Sequence, residues 1–282
     1  MIENVDLIKA YKSHRKLLGR APTTLRKELS IINLFDQSLK TPFKEVSTAD
    51  VRHYFANLDL KVRTIETRIV VIKLFFNFLR DNEYLQHNPT LFLKCPKIPA
   101  KIPRVLSLQE IQTLLSFPSS NSFYDLRDKA ILEMLYGTGI RQGELGRLTI
   151  TDINFQNNTL LIYGKGNKER LVPLTNRVLK ALKNYLIKAR PQVISQPNQW
   201  LWLNKFGNRF CPTKFSRLVN FYSHKAGITH ASCHTLRRSC ATHLLQKGVN
   251  PYHIAKLLGH TNLKTIDHYL AVKVEDLRQL EL

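Results

Sequence analysis

The sequence predicts a two-domain chain, in which a short linker joins an all-α N-terminal helical bundle to a mainly α, mixed α/β domain with a small antiparallel sheet. Three observations predict this fold class. Apolar residues recur at helical spacing, with no strand pattern, through residues 22–79. Residues 88–104 contain four prolines, and two β-rich runs flank a glycine-rich turn at 164–167. The predicted boundaries are therefore 1–87, 88–104 and 105–282, and both domains are long enough to bury a core.

The N-terminal part contains three predicted helices. Pro22 can open the first, and Ser47 with Asp50 forms a variant capping box at the start of the second. The third runs from about Thr64. Its buried face is Ile65, Ile69, Ile72, Phe76 and Leu79, and its opposite face offers Thr64, Thr67, Arg68 and Lys73.

The proline-rich segment 88–104 carries basic residues between its prolines and favours an extended chain. A strong helix start follows it. Ser107 is the expected cap and Glu110 closes the capping box, while Leu106 and Ile111 can form a hydrophobic staple.

The C-terminal part mixes helices with a hairpin. The predicted elements, in order, are a helix over 128–136 broken by the glycines at 137 and 139, a resumed helix over 140–148, a hairpin over 159–174, and helices over 178–189, 235–246, 251–258 and one after Thr261. Gly248 and Gly259 are expected to end two of these helices.

The charge balance points to a polyanion as the first partner to consider. Lys and Arg number 43 against 21 Asp and Glu, a formal charge of +22. Residues 1–104 and 105–282 are both basic, as expected if both contact one polyanion. On charge alone, a solubilising surface is an equally good interpretation.

The remaining composition predicts a cytoplasmic protein without a membrane partner. Four cysteines are too sparse for a disulfide scaffold, the N-terminus lacks a signal-peptide pattern, and no apolar run could span a bilayer.

The chain lacks the motifs of several classes of enzyme that bind nucleotides or use metal ions. The chain has no GxxxxGK[ST] loop, no HExxH, and no closely spaced carboxylates suited to two metal ions. If the protein cleaves a phosphodiester, we expect it to use no metal and no other cofactor. Arg, His and Lys would then neutralise the phosphate charge.

Six residues in the C-terminal part are candidates for such chemistry, and each also has an ordinary structural interpretation. Arg141 begins a helix and Glu144 can orient it, although the two could equally be a surface ion pair. The others are Lys165 at the hairpin tip, His234 and Arg237 on one helical face, His260 in an interhelical turn, and Tyr269, whose oxygen can attack phosphorus. Taken singly, a solvated lysine, a capping or turn histidine, a solvated arginine and a core tyrosine are the more common roles.

The order of these motifs changes their weight. TGIRQGEL, GKGNKERLVPL, HTLRRSCATHLL, LLGH and the HY of IDHYL resemble, in this order, the tyrosine recombinase (phage integrase) family, with the closest likeness to compact Xer-type site-specific recombinases. The resemblance covers nearly the whole chain. Arg238, where the family usually has histidine, is one departure.

The resemblance implies a mechanism. Tyr269 attacks the scissile phosphate and forms a 3′-phosphotyrosyl link, while Arg141, Arg237 and His260 hold the phosphate oxygens. Lys165 protonates the departing 5′ oxygen and His234 assists proton transfer. The exchange needs neither metal nor ATP.

The resemblance also implies the fold and the partners. The N-terminal domain would be a SAM-like core-DNA-binding bundle, with Thr64, Arg68 and Lys73 facing double-stranded DNA, and the C-terminal domain would be catalytic. The expected assembly is a synaptic tetramer on DNA, of identical chains or with a paralogous recombinase, at paired inverted-repeat sites near the nucleoid. A DNA translocase is a further candidate partner.

Three alternatives remain open. The chain could be a mobile-element integrase with the same chemistry, or a catalytically inactive DNA-binding homologue. A zinc site built from Cys233, His234, Cys240, His243 and His230 is the third, although the residues lack standard ligand spacing.

Overall fold

The computed structural model describes residues 3–39, 41–99, 103–164, 168–194, 196–229 and 231–259. The chain forms two compact units, Met1–Lys101 and Ile102–Leu282, each with its own hydrophobic core. Within the described ranges, no helix is both long enough and apolar enough to cross a membrane.

The described part of the N-terminal unit is a bundle of four helices. They are α1 (Asn4–Leu17), α2 (Pro22–Ser38), α3 (Thr48–Ala56) and α4 (Val62–Asp81). The predicted starts at Pro22 and Ser47 are confirmed, because Pro22 lies in the first turn of α2 and Ser47 exchanges hydrogen bonds with Asp50. Ile69, Ile72, Phe76 and Leu79 are buried as expected.

Helix α1 was not predicted from the sequence. It buries only Leu7 and Tyr11, which is too few residues for a visible apolar stripe. Two hydrogen bonds of Asn4 hold its start, since the Asn4 side chain donates to Asp36 at 2.6 Å and accepts from the backbone N–H of Phe43 at 2.8 Å.

Residues 88–93, at the start of the proline-rich segment, bind to α4. The Asn88 amide donates to Asn77 at 2.7 Å, Thr90 is fully buried, and Lys73 Nζ donates to the carbonyl of Leu93 at 2.9 Å. Residues 94–99 form neither helix nor strand.

The C-terminal unit contains seven α-helices and a three-stranded sheet among its described residues. The helices are α5 (Leu108–Ser116), α6 (Phe123–Thr138), α7 (Gln142–Leu145), α8 (Asn176–Asn184), α9 (Lys214–Lys225), α10 (Cys233–Gln246) and α11 (Pro251–Leu258). Helix α6 runs through the core, where Ile131, Leu132 and Leu135 are fully buried. The expected capping box, in which Ser107 caps α5 and Glu110 bonds back to it, is confirmed.

The sheet contains the predicted hairpin and one further strand. Strands β2 (Thr159–Tyr163) and β3 (Glu169–Pro173) are antiparallel, with Leu161 opposite Leu171. The short strand β1 (Ile153–Asn154), which was not predicted, pairs with the other edge of β2. The turn residues 165–167 lie outside the described residues.

Two expectations around the glycines at 137 and 139 were wrong. Helix α6 continues through Gly137 and ends only at Gly139, whose φ of +60° is the left-handed conformation that terminates helices. Ser122 caps it, so the helix also starts earlier than expected. The helix predicted over 140–148 is the single turn α7.

The remaining helices are close to expectation, with one omission. Helix α8 continues into a π-helical turn at Tyr185–Ala189, α10 is capped by Ser232, and Asn250 caps α11, which ends at Gly259. Helix α9 was not predicted. The helix expected after Thr261 lies outside the described residues.

Candidate active site

Four of the predicted site residues in the C-terminal unit are described: Arg141, Glu144, His234 and Arg237. Their elements meet where the end of α6, the turn α7, the start of α10 and the end of α11 come together. Lys165, His260 and Tyr269 lie outside the described residues.

Arg141 is the N-cap residue of α7 and is held from two sides. Its Nη1 donates to Glu144 Oε1 at 2.9 Å and its Nη2 donates to the carbonyl of Gly259 at 2.9 Å. The Arg141 side chain remains 36% exposed, so the guanidinium is fixed in place and still reachable by a phosphate.

Glu144 is buried and binds two arginines. It accepts hydrogen bonds from the backbone N–H and the guanidinium of Arg141, and a bidentate pair from Arg170 at 3.2 and 2.7 Å. Burial raises the pKa of Glu144, but the hydrogen bonds and charges of Arg170 and Arg141 lower it more, so the net pKa is below the usual range. The carboxylate is therefore ionised at neutral pH.

Arg170 was not predicted as a site residue from the sequence, although it lies within the GKGNKERLVPL motif. It occupies β3 on the same face as the buried Val172, and an arginine at such a position is a signal that it has a buried partner. Besides Glu144, it donates from Nε to the carbonyl of Leu257 at 2.9 Å.

Arg237 lies on α10 and is almost fully buried, with 4% of its surface exposed. It donates from Nη1 to the carbonyl of Gly139 at 2.7 Å and from Nη2 to the carbonyl of Leu258 at 2.6 Å. The carbonyls at the end of α11 carry the negative end of the helix dipole, which favours cations. The end of α11 therefore holds both Arg141 and Arg237.

His234 lies in the first turn of α10 and is an exposed residue. Partial desolvation by the surrounding protein lowers the pKa of the His234 ring, and the nearby charges of Arg237, Arg238 and Arg141 lower it further. At neutral pH the ring is uncharged and can accept a proton.

These residues border an open groove rich in cationic groups. Its lining among the described residues includes five arginine and lysine side chains, two histidines and two glutamates: Arg141, Arg147, Lys168, Arg170 and Lys256, His234 and His253, and Glu144 and Glu169. Such a groove suits a phosphate backbone. Fixed guanidinium donors at its wall can stabilise negative charge that develops on a phosphate during reaction.

The family assignment follows from sequence comparison. The family model described as the phage integrase family matches residues 104–276. The tyrosine recombinase XerC of Natranaerobius thermophilus is 34% identical over 281 residues, covering 96% of this chain and 94% of that protein. The chain belongs to the phage integrase family of tyrosine recombinases, and its likeness within that family is to the Xer type.

Two solved structures show that the chain shares its fold with a site-specific recombinase and a transposon integrase. A XerH site-specific recombinase bound to a palindromic difH substrate has a TM-score of 0.76 and 21% identity, covering 99% of this chain and 84% of that one. The Tn1549 transposon integrase in complex with circular intermediate DNA has a TM-score of 0.76 and 20% identity, covering 99% and 98%.

The three residues that the resemblance to recombinases assigned to DNA contact all lie on α4. Thr64 is exposed, whereas Arg68 Nη1 donates to the hydroxyl of Tyr54 at 3.2 Å and Lys73 is bonded to Leu93. Arg68 and Lys73 therefore each have a partner within the N-terminal unit.

The cysteines of the zinc alternative are buried in α10. Among the described residues, no group of three His, Cys, Asp or Glu side chains could hold a metal ion. Cys233 lies 3.9 Å from the hydroxyl of Ser216. His243 instead bonds to the hydroxyl of Tyr136 at 3.0 Å, and His230 lies outside the described residues.

Proposed function

We propose that this recombinase cuts and rejoins DNA strands at paired inverted-repeat core sites through a 3′-phosphotyrosyl intermediate on Tyr269. The catalytic set is Arg141, Lys165, His234, Arg237, His260 and Tyr269, with Glu144 supporting Arg141. One observation carries the proposal. Arg141 donates to the carbonyl of Gly259 and Arg237 to that of Leu258, so that both arginines are fixed beside a cationic groove.

The first step exchanges one ester for another. The Tyr269 oxygen bonds to the scissile phosphorus as the bond to the 5′ oxygen breaks, and Lys165 supplies the proton that the 5′ oxygen takes. Arg141, Arg237 and His260 stabilise the charge on the non-bridging oxygens. His234, uncharged at neutral pH, accepts the proton of the tyrosine hydroxyl.

The second step reverses the first with a different strand. A 5′-hydroxyl from the partner strand attacks the phosphotyrosyl phosphorus and releases Tyr269. One phosphodiester is broken and one is formed, so the reaction as proposed consumes neither ATP nor a metal-activated water.

The N-terminal unit serves as the core-DNA-binding domain of this proposal, with a SAM-like bundle over 1–87 and a linker over 88–104. Thr64, Arg68 and Lys73 on α4 contact DNA. Arg68 and Lys73 would have to exchange their bonds to Tyr54 and Leu93, or share them, when they bind phosphate. The catalytic domain spans 105–282.

The assembly we propose is a synaptic tetramer on double-stranded DNA in the cytoplasm, associated with the nucleoid. Its protomers are identical or include a paralogous recombinase, and a DNA translocase can activate it. The high positive charge of the whole chain, +22, favours DNA as the partner. A resolvase of chromosome or plasmid dimers and a mobile-element integrase would both use this chemistry.

Covalent capture tests the proposal. Wild-type protein and Tyr269→Phe are mixed with fragmented DNA from the source cell, the reactions are stopped with SDS, and the DNA attached to protein is sequenced. We expect inverted-repeat sites in the wild-type sample and none with Tyr269→Phe. Their position at a replication terminus, on a plasmid or at the end of an element then separates the biological roles.

The inactive-homologue alternative gives a different result. Wild type and Tyr269→Phe would then leave equal backgrounds after SDS, while footprinting without SDS would still show specific DNA binding. A Tyr252→Phe variant is the matched control, because Tyr252 is an exposed tyrosine of α11 that is not part of the proposed catalytic set.

A further inference from the structure

Glu144 links two arginines in a continuous series of ion pairs that leads from β3 to the candidate active site. Arg170, Glu144 and Arg141 are joined by hydrogen bonds of 2.7 to 3.2 Å. Glu144 is 3% exposed and Arg170 11%, whereas Arg141 at the end of the chain is 36% exposed. The three charges therefore sum to +1, and the exposed member is Arg141.

A buried carboxylate beside Arg141 has two opposed effects. It fixes the guanidinium, but a pair of one arginine and one glutamate is neutral and would attract a phosphate only weakly. Arg170 supplies a second positive charge to the same carboxylate. Its bidentate contact matches the geometry of Glu144 and takes up both oxygens.

From this arrangement we infer that Arg170 is a positioning residue, which neutralises Glu144 so that the charge of Arg141 remains available to the scissile phosphate. The inference rests on the proposed function, because it needs Arg141 to meet that phosphate. Arg170 itself acts through Glu144 and through its bond to the carbonyl of Leu257.

The end of α11 is shaped around Arg170. A Cβ at Gly259 would lie 2.9 Å from Arg170 Nη1 and 3.1 Å from its Cζ, so the guanidinium packs against the glycine backbone. The carbonyl of the same glycine accepts the hydrogen bond from Arg141. Arg170 and Arg141 are thus held by the carboxylate on one side and by the end of one helix on the other.

The test compares two substrates. Duplexes carrying a site recovered by covalent capture are made with an ordinary phosphodiester or with a methylphosphonate at the scissile position, which lacks one negative charge. We expect Arg170→Gln to slow single-turnover cleavage of the phosphodiester by on the order of 10- to 100-fold. On the methylphosphonate the difference from wild type should shrink to a few fold, because little charge is left to stabilise.

A double variant tests the same idea from the protein side. Arg170→Gln with Glu144→Gln removes both members of the buried pair and leaves Arg141 with a net charge of +1. We expect the double variant to cleave the phosphodiester faster than Arg170→Gln alone, a non-additive result that lost packing would not produce. Arg177→Gln is the matched control, since Arg177 pairs with Glu133 at 3.0 Å outside the groove and is 59% exposed.

The outcomes separate the inference from the proposed function. If wild type forms no covalent adduct with any DNA, the proposed function is wrong, and so is the inference that depends on it. If wild type cleaves and Arg170→Gln matches it, or if Arg170→Gln is slowed equally on both substrates while the double variant is no faster, the inference alone is wrong. Thermal unfolding of each variant confirms that the assays are run on folded protein.

Discussion

Arg141 and Arg237 donate hydrogen bonds to adjacent carbonyl oxygens, those of Gly259 and Leu258, at the C-terminal end of α11. Arg237 also binds the carbonyl of Gly139, two residues before Arg141. The two arginines come from elements nearly a hundred positions apart along the chain, so their spacing depends on the ends of α6 and α11 rather than on local sequence.

Replacing Arg237 should cost both stability and activity. Arg237→Gln removes a buried charge and leaves the carbonyls of Gly139 and Leu258 with poorer donors, which we expect to lower the free energy of unfolding by about 1–3 kcal/mol. Loss of a donor to the phosphate should slow cleavage by a factor on the order of 100 or more. Urea unfolding and single-turnover cleavage measure the two effects.

The control for Arg237 is Arg217→Gln, an exposed arginine on α9. It should leave both the unfolding midpoint and the cleavage rate close to wild type. Wild-type stability and a wild-type cleavage rate in Arg237→Gln would contradict a role for the bonds of Arg237 to Gly139 and Leu258.

Gly139 is required by both its backbone and its surroundings. Its φ is +60°, and a Cβ there would overlap Cδ2 of the buried Leu258. Gly139→Ala should therefore destabilise the protein by about 1–3 kcal/mol and push α11 away from α6. Thermal unfolding measures the loss.

Gly143→Ala provides the comparison for Gly139→Ala. Gly143 lies in α7 with no atom within 4 Å of a Cβ placed there. Alanine favours helix over glycine by about 0.5–1 kcal/mol, so this variant should be as stable as wild type or slightly more stable. Equal destabilisation of the two variants would show that the left-handed conformation of Gly139 is not what matters.

Two helix starts were predictable from a capping box in the sequence. Ser47 and Ser107 exchange hydrogen bonds with the acidic residue three positions later, and both starts were predicted. Helices α1 and α9 were missed, and in both the N-cap residue, Glu3 or Thr213, makes no side-chain cap hydrogen bond. A side-chain cap alone does not decide the outcome, because Ser122 caps α6 and the start of that helix was still placed too late. Helices α2 and α4 lack such a cap and were predicted from their apolar stripes.

Of the hydrogen bonds among the described residues of the candidate site, only a local one could be predicted from the sequence. The pairing of Arg141 with Glu144 spans three positions and follows from helical spacing. The contact of Arg170 with Glu144 spans 26 positions and joins a strand to a helical turn, so no local pattern reveals it. The position of Arg170 on the inward face of β3 was the one available signal.

The basic segment before α5 should be the first site of proteolysis. Lys94 and Lys97 are exposed and lie in residues 94–99, which form neither helix nor strand. Limited trypsin digestion should therefore cut there first and give two stable fragments that correspond to the two compact units.

Lys94→Gln with Lys97→Gln should slow that first cut. The fragments are identified by mass spectrometry, and circular dichroism of each shows whether it remains folded. A first cut inside α4 or α6, or immediate degradation of either fragment, would argue against independent domains.

Protonation of His234 should set an acidic limit on the reaction. Its pKa lies below the usual value of 6.5, so the ring is neutral at pH 7 and gains a proton only as the pH falls below that value. Because the folded state resists this protonation more than the unfolded state does, the contribution of His234 to stability is present above pH 6.5 and is lost as the pH falls through the interval down to its folded pKa. Cleavage, which uses the folded protein, should fall as the pH passes through the folded pKa of His234.

Arg238 provides a way to move that limit. Its charge is one of the causes that lower the pKa of His234, so Arg238→Gln should raise that pKa toward 6.5 and shift the acidic limb of the cleavage profile to higher pH. Titration of the His234 ring by NMR measures the pKa directly, with Arg217→Gln as a control that should leave it unchanged. A cleavage profile that stays fixed while the NMR titration shifts would show that His234 takes no part in the proton transfer.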